Sequence, residues 1–332
     1  MNYADIRRLY QLPFFELLQQ SRAVHEAHWP QREVQLCTLL SIKTGGCSED
    51  CGYCAQSARY STGLAAEKLL AKETVMEKAR AARANGSTRF CMGAAWKGVR
   101  QGTEKFEQVL DIVRDVSTLG MEVCVTLGEL GAEEARELKT AGVTAYNHNI
   151  DTSPEHYPNV VTTHTFEDRL RTIRHAQDAG MSVCCGGILG LGEGIEDRLR
   201  MLEVLSSFNP QPESVPINML TPIKGTPMEE NAPVEVFDLV RLIAIARIAM
   251  PQTKVRLSAG RYSLSREAQA LCYFAGANSI FYGEKLLTTA NPQANEDLKL
   301  LRELGLIPQL PNPAQPAPEA NGAQPLAPCC AS

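Results

Sequence analysis

No stretch of this 332-residue chain stays apolar for long enough to cross a bilayer as a helix, which takes about 20 residues. Basic residues are not in excess either: 33 Lys and Arg face 38 Asp and Glu, a net charge of −5. No basic stripe is available to neutralise phosphates, so a nucleic-acid partner is not expected. The opening run Met1–Arg8 (MNYADIRR) lacks the apolar core of a signal peptide, and Asp5 and Glu16 are unlike a transit peptide. These absences predict a cytoplasmic protein with no membrane or nucleic-acid partner. No internal repeat is evident. A chain of this length holds one large domain or two modest ones.

Cysteine, by contrast, is abundant, with eleven copies. Without an export signal, so many thiols point to metal ligation in a reducing compartment rather than to disulfides. Cys47, Cys51 and Cys54 stand in the run GCSEDCGYC. This spacing supplies three ligands to an iron–sulfur cluster and leaves one iron open, whereas a fully ligated cubane takes four thiolates. A zinc site uses similar short spacings, but a structural zinc site usually takes two such pairs and no second CxxC follows.

Residues 4–28 read as short helices ahead of the main domain. From about 34 to 282, β-rich runs alternate with amphipathic segments. The strand candidates are Val34–Ser41, Thr88–Gly93, Glu122–Thr126, Ala145–His148, Ser182–Gly186, Ser214–Asn218, Lys254–Ser258 and Asn278–Phe281. Glu104–Leu119 reads as a helix with Phe106, Val109, Leu110, Val113 and Val116 on one face, and Val234–Met250 as another, entered at Pro233 and closed at Pro251. Eight strands alternating with helices fit an α/β fold of the (β/α)8 TIM-barrel type; doubly wound sheets also alternate. The predicted organisation is an N-terminal helical extension (1–32), the barrel (33–307) and a disordered Pro/Ala-rich tail (308–332). The tail is too poor in apolar residues to offset the entropy of ordering, and its Cys329 and Cys330 are assigned no ligand role.

Cys91, Cys124 and Cys184 each lie inside a strand candidate. Singly, such a cysteine is a small buried hydrophobe. Jointly, with Arg256, they occupy the second, third, fifth and seventh strand candidates, and only a closed barrel brings these to one central point. Cys185, next to Cys184, should face the helices by strand parity. Cys37 and Cys272 read as structural. Asn147, Asn149 and Asp151 end the fourth strand at alternate positions, on one face; a turn of side-chain–backbone bonds is the alternative, and the functional reading is the better one here because barrels collect functional groups at these strand ends. His148 should face away from them, and His156, His164 and His175 carry no motif.

The CxxxCxxC trio, with Tyr53 before its last cysteine, resembles the radical S-adenosylmethionine enzymes. Gly186–Glu193 (GGILGLGE) fits that superfamily's GxIxGxxE motif. The resemblance implies a [4Fe–4S] cluster whose open iron chelates S-adenosylmethionine and cleaves it to a 5′-deoxyadenosyl radical. It implies contacts to the nucleoside from Tyr53, Gly186, Ile188 and Gly190.

Within the superfamily, roughly residues 10 to 307 are similar to the biotin synthase family. The runs that carry this are Thr38–Gly45 (TLLSIKTG), Phe90–Trp96 (FCMGAAW), Tyr146–Thr152 (YNHNIDT), Val215–Leu220 (VPINML) and Val255–Arg261 (VRLSAGR). The likeness implies a [2Fe–2S] cluster on Cys91, Cys124, Cys184 and Arg256, serving as sulfur donor in the conversion of dethiobiotin to biotin. It gives Asp151 to the ribose hydroxyls and Asn149 to the junction of nucleoside and substrate. Asn147 and Asn218 would hold the ureido ring, and Thr288 and Thr289 the carboxylate tail. A homodimer and an electron donor such as flavodoxin or ferredoxin are implied as partners. Two other readings stand beside this one: a related barrel enzyme such as a mutase or maturase, and a non-catalytic iron–sulfur or zinc protein.

Overall fold

Parallel strand follows helix eight times over, and the last strand pairs with the first. The computed structural model describes residues 1–283, 287–289 and 294–310. Its strands are β1 (Glu33–Lys43), β2 (Arg89–Ala94), β3 (Glu122–Thr126), β4 (Ala145–Asn147), β5 (Ser182–Cys184), β6 (Gly187–Leu189), β7 (Ser214–Met219), β8 (Lys254–Leu257) and β9 (Ser279–Phe281). The register Gln35↔Ser279, Leu36↔Ile280 and Cys37↔Phe281 closes β1 onto β9. That closure makes the chain a barrel and excludes the doubly wound sheet, which has open edges. All eight strand candidates occur, with ends within two residues of those expected.

The fifth stave differs from expectation. It breaks into β5 and β6, which pair separately with β7. The break faces Pro216, which has no N–H to continue the ladder. It is also where Gly186 lies so close to β7 that a Cβ there would sit 1.9 Å from the Pro216 carbonyl oxygen.

The eight barrel helices are α3 (Lys72–Ala84), α4 (Glu104–Ser117), α5 (Ala132–Ala141), α6 (Phe166–Asp178), α7 (Ile195–Ser207), α8 (Val236–Ala249), α9 (Arg266–Phe274) and α10 (Ala294–Glu303). On α4 the expected face is buried, joined by Ile112. Helix α8 is apolar nearly all round because its outer side is also covered. The cover comes from α1 (Tyr3–Gln11) and α2 (Phe14–His28), which pack on α7 and α8. Arg241 ties this layer down, donating to the Tyr10 and Leu12 carbonyls at 3.0 and 2.9 Å.

After α10, β10 (Ile307–Pro308) adds a short parallel strand to the start of β1. The rest of the Pro/Ala-rich tail, with Cys329 and Cys330, lies outside the described residues.

Barrels normally fill their interior with layers of aliphatic side chains. Here one layer is sulfur: Cys37, Cys91, Cys124 and Cys184 are buried together with Ala145, against Leu39 and Phe281. Beneath it lies a charged floor. Arg89 donates to Glu122 at 2.7 Å and to Glu213 at 2.6 Å, Lys254 donates to Glu213 at 2.6 Å, and Gln35 donates to Glu122 at 3.0 Å.

Candidate active site

The trio Cys47, Cys51 and Cys54 sits on the loop after β1, at the C-terminal mouth of the barrel. Its backbone folds on itself through Cys47 N–H to the Gln56 carbonyl (2.9 Å), Ala58 N–H to the Cys47 carbonyl (2.7 Å) and Cys54 N–H to the Cys51 carbonyl (2.9 Å). Asp50 stitches the loop to the segment before α6, accepting from the Thr162 and Thr163 amides at 2.9 and 3.1 Å. Burial raises all three thiols above the ordinary cysteine range.

Four groups that local sequence left unmarked surround this loop. Glu49, inside it, is buried and pairs with His164 and, at 3.4 Å, with Lys97. Burial works against the Glu49 carboxylate, but hydrogen bonds from Thr163 and His164 prevail and hold its pKa below the usual value. Burial and the nearby Arg169 lower the His164 pKa from its ordinary value, against the pull of the Glu49 carboxylate. Arg169 reaches in from α6, donating to Asp151 at 3.0 Å and to the Tyr157 hydroxyl at 2.7 Å. Asp151 also accepts from Tyr53, and burial raises its pKa despite the guanidinium. Its backbone is left-handed (φ 64°), which aspartate tolerates better than most residues.

Below the mouth, Cys91 and Cys124 are direct neighbours in the β2–β3 register, as are Asn147 and Cys184 in β4–β5. A hydrogen bond that the Cys91 thiol makes to Cys124, then burial, pushes the Cys91 thiol well up. The Arg256 guanidinium spans two sulfurs, with Nη1 3.3 Å from Cys184 Sγ and Nη2 3.3 Å from Cys37 Sγ. It lies 5.0 Å from the Phe281 ring centroid. Cys185 and Cys272 belong to the main apolar core, as strand parity indicates for Cys185. Cys37 does not: it shares the inward face of β1 with Leu39 and is buried in the sulfur layer, a placement that leaves the structural role expected for it standing.

The polar end of β4 is engaged with protein. Asn147 donates to the Cys184 carbonyl at 3.1 Å and accepts from Thr126 at 3.0 Å. Asn149 accepts from the Gly186 amide at 3.1 Å, and Asn218 donates to the Gly187 carbonyl at 2.9 Å and accepts from the Ala259 amide at 3.2 Å. Each asparagine amide has two donors and two lone pairs, so Asn147 and Asn218 retain hydrogen-bonding capacity for a ligand. His148 is buried, as expected; its ring centroid lies 6.2 Å from that of Tyr146 in the main core, its Nε2 has no hydrogen-bond partner, and the residue also borders the same cavity as the asparagines.

In the GxIxGxxE segment, Ile188 and Tyr53 join a small apolar cluster with Leu191 and Met228. Gly190 takes a left-handed turn (φ 96°), and its amide donates to Glu193 at 2.9 Å, so the glutamate closes the loop.

One cavity of about 350 Å³ is bordered by all three mouth cysteines, by Cys91, Cys124, Cys184 and Arg256, and by Asn147, Asn149, Asp151, Asn218, Ile188, Thr288 and Thr289. Its donor set tests which group fits. A single zinc ion at about 2.3 Å from each sulfur draws its ligands into one tight tetrahedron. No three His, Cys, Asp or Glu side chains converge in that way among the described residues. Buried thiols held further apart fit multi-iron clusters, whose protein ligands are shared out among the irons, one to each in a [4Fe–4S] and two to each in a [2Fe–2S]. The Ser214 hydroxyl, beside Cys184 in the register, is buried with no hydrogen-bond partner.

Comparison with known proteins gives two family models. Residues 41–205 match the radical SAM superfamily, and residues 216–307 match the biotin and thiamin synthesis associated domain. The chain is 55% identical over 308 residues to the biotin synthase of Myxococcus xanthus (93% of this chain, 89% of that protein). It is 56% identical over 306 residues to that of Gloeobacter violaceus (92% and 96%). The mitochondrial biotin synthase of Arabidopsis thaliana is 51% identical over 323 residues (97% and 85%). Among solved structures, methylornithine synthase superposes with a TM-score of 0.78 at 19% identity, covering 93% of this chain and 94% of that one. The hydrogenase maturase HydG of Carboxydothermus hydrogenoformans gives 0.79 at 18% identity, covering 93% and 76%. These two likenesses concern the fold alone.

Proposed function

Because the chain belongs to the biotin synthase family of radical S-adenosylmethionine enzymes, we infer that it inserts sulfur into dethiobiotin to form biotin. The observation that carries this reading is the single cavity bordered by two separate sets of thiols with amide side chains between them. Cys47, Cys51 and Cys54 hold a [4Fe–4S] cluster, and Cys91, Cys124, Cys184 and Arg256 hold a [2Fe–2S] cluster. When bound, these groups supply the reductive cleavage of S-adenosylmethionine and the sulfide for insertion.

The chain's own residues bind, orient and shield. Tyr53, Ile188 and the close backbone at Gly186 and Gly190 receive the nucleoside. Asp151, aimed by Arg169, receives the ribose hydroxyls, and Asn149 sits where nucleoside and substrate meet. Asn147, whose amide nitrogen already serves the Cys184 carbonyl and Asn149, offers the spare lone pair of its oxygen to the ureido ring, Asn218 offers its remaining donor and acceptor, and Thr288 and Thr289 receive the carboxylate. Leu39 and Phe281 pack against the sulfur layer, and the closed barrel keeps solvent thiols away from a radical that takes hydrogen from nearly any C–H or S–H it meets. A one-electron donor such as flavodoxin or ferredoxin serves the mouth loop, and the enzyme works as a cytoplasmic homodimer.

The reading is tested by anaerobic reconstitution with iron and sulfide, followed by turnover with S-adenosylmethionine, a reductant and dethiobiotin. Biotin and 5′-deoxyadenosine are expected together. Formation of 5′-deoxyadenosine with a sulfur-free product would overturn it.

A further inference from the structure

Cys37 is a fourth thiol in the sulfur layer, beyond the three thiols and one arginine assigned to the buried cluster. Its side chain is fully buried, and its neighbours are not those of an apolar filler. Sγ lies 3.4 Å from Gln35 Oε1, 3.7 Å from Ser279 Oγ and 3.3 Å from Arg256 Nη2. The other terminal nitrogen of Arg256 is 3.3 Å from Cys184 Sγ, so one guanidinium fork holds an assigned thiol on one prong and Cys37 on the other. Ser279 also accepts from Arg256 Nε at 3.0 Å, which fixes the fork in this orientation.

Arginine is an odd iron ligand. A guanidinium has no lone pair to give and must surrender a proton before it can bind metal. Thiolate is the softer and stronger ligand for iron–sulfur centres. A site that places a spare thiol in hydrogen-bond contact with its weakest ligand is equipped to exchange the two.

We propose that Cys37 is a reserve ligand of the buried cluster, taking the iron position of Arg256 whenever the arginine lets go. This rests on the assignment of a [2Fe–2S] cluster to Cys91, Cys124, Cys184 and Arg256. In the exchange the bond from the neutral guanidine nitrogen to iron breaks and a bond from Cys37 sulfur to iron forms. The proton of the Cys37 thiol passes to the freed guanidine, along the Nη2···Sγ contact. No electron moves and the total charge is unchanged. The barrel then has two modes: one with a weak ligand, suited to losing sulfide, and one with four thiolates, suited to keeping iron.

The test compares wild type, Arg256→Met, Cys37→Ala and the double variant after anaerobic reconstitution. The readouts are iron and sulfide counts, Mössbauer and absorption spectra, and the rate of iron loss to a chelator. Arg256→Met should keep about two irons in the buried site, with the spectrum of an all-thiolate cluster. Cys37→Ala should keep them with the wild-type spectrum. The double variant should lose buried iron roughly tenfold faster than Arg256→Met. If the double variant retains iron as firmly as Arg256→Met, with the same spectrum, the reserve-ligand role is overturned. Wild type with iron at the mouth alone overturns the cluster assignment itself, and the exchange with it. Cys37→Ser in the Arg256→Met background covers poor folding of the double variant. Circular dichroism reports its fold, and an unchanged all-thiolate spectrum there would equally refute the role.

Discussion

Asn147 and Cys184 stand side by side in adjacent strands, and the asparagine side chain donates to the cysteine's own carbonyl at 3.1 Å. The residue proposed to grip the ureido ring is thus anchored to the backbone of a proposed cluster ligand. Any shift of one moves the other, and substrate position is referenced directly to the sulfur layer.

Asn147→Asp keeps the size of the side chain but removes both amide donors and sets a carboxylate against the Cys184 carbonyl. A mispaired buried group costs roughly 1–3 kcal/mol, which is about tenfold or more in affinity. Dethiobiotin binding should weaken by that factor, measured by calorimetry on reconstituted enzyme, while the absorption of the mouth cluster stays unchanged. Unaltered dethiobiotin affinity would remove Asn147 from the substrate site.

The two thiol sets should fail independently. Cys51→Ala should abolish 5′-deoxyadenosine formation and leave the buried iron in place. Cys124→Ala should do the reverse, losing the buried cluster and all biotin while the mouth cluster remains. The reason is architectural: the first set lies on one self-bonded loop, and the second is spread over three staves. Iron counting and product analysis on both variants decide this. A Cys124→Ala enzyme that still makes biotin contradicts the assignment.

Arg169→Met leaves Asp151, a carboxylate 2% exposed, without its cation. Breaking a buried pair in this way costs about 3–5 kcal/mol. Asp151, already raised by burial, should then stay protonated and offer a poorer acceptor to ribose hydroxyls. S-adenosylmethionine affinity and thermal stability should both fall. An Arg169→Met enzyme with wild-type values of both would show that the contact is incidental.

The charged floor gives the fold an acid limit. Burial works against ionisation of Glu213, but Arg89 and Lys254 outweigh it and hold its pKa at about 2 against an ordinary 4.5. Above pH 4.5 the carboxylate is ionised in folded and unfolded chains alike, and its full contribution is present. As pH falls toward about 2 the unfolded chain takes the proton first, and the contribution is lost. It amounts to about 2–3 kcal/mol at 1.4 per unit, reduced for the part of the side chain that water reaches. Glu213→Gln should lower stability near neutral pH and flatten its decline in acid, read from urea unfolding curves at several pH values. A decline as steep as that of wild type would place the acid limit elsewhere.

Much of this was legible before any coordinates. The alternation of strands and helices, and the placement of Cys91, Cys124 and Cys184 in three strands, followed from local periodicity. So did the outward position of Cys185. What was not legible depends on distant pairs. Glu49 and His164 are 115 residues apart, and neither carries a spacing signal. Arg169 looks like an ordinary helix-surface arginine until the fold sets it against Asp151. The place of Cys37 in the sulfur layer was legible too, since parity along β1 puts it on the same side as Leu39. The split of the fifth stave was signalled by Pro216, on a neighbouring strand.

Because Arg89, Glu122, Glu213, Gln35 and Lys254 knit together one end of the barrel, the cavity among the described residues lies toward the other, beside the cysteine loop. On the proposed assignments, iron and sulfide bound for the inner thiols would pass the loop that receives the nucleoside. Repair and turnover would then share that passage. A crowd of S-adenosylmethionine that speeds the first event should slow recovery for the next.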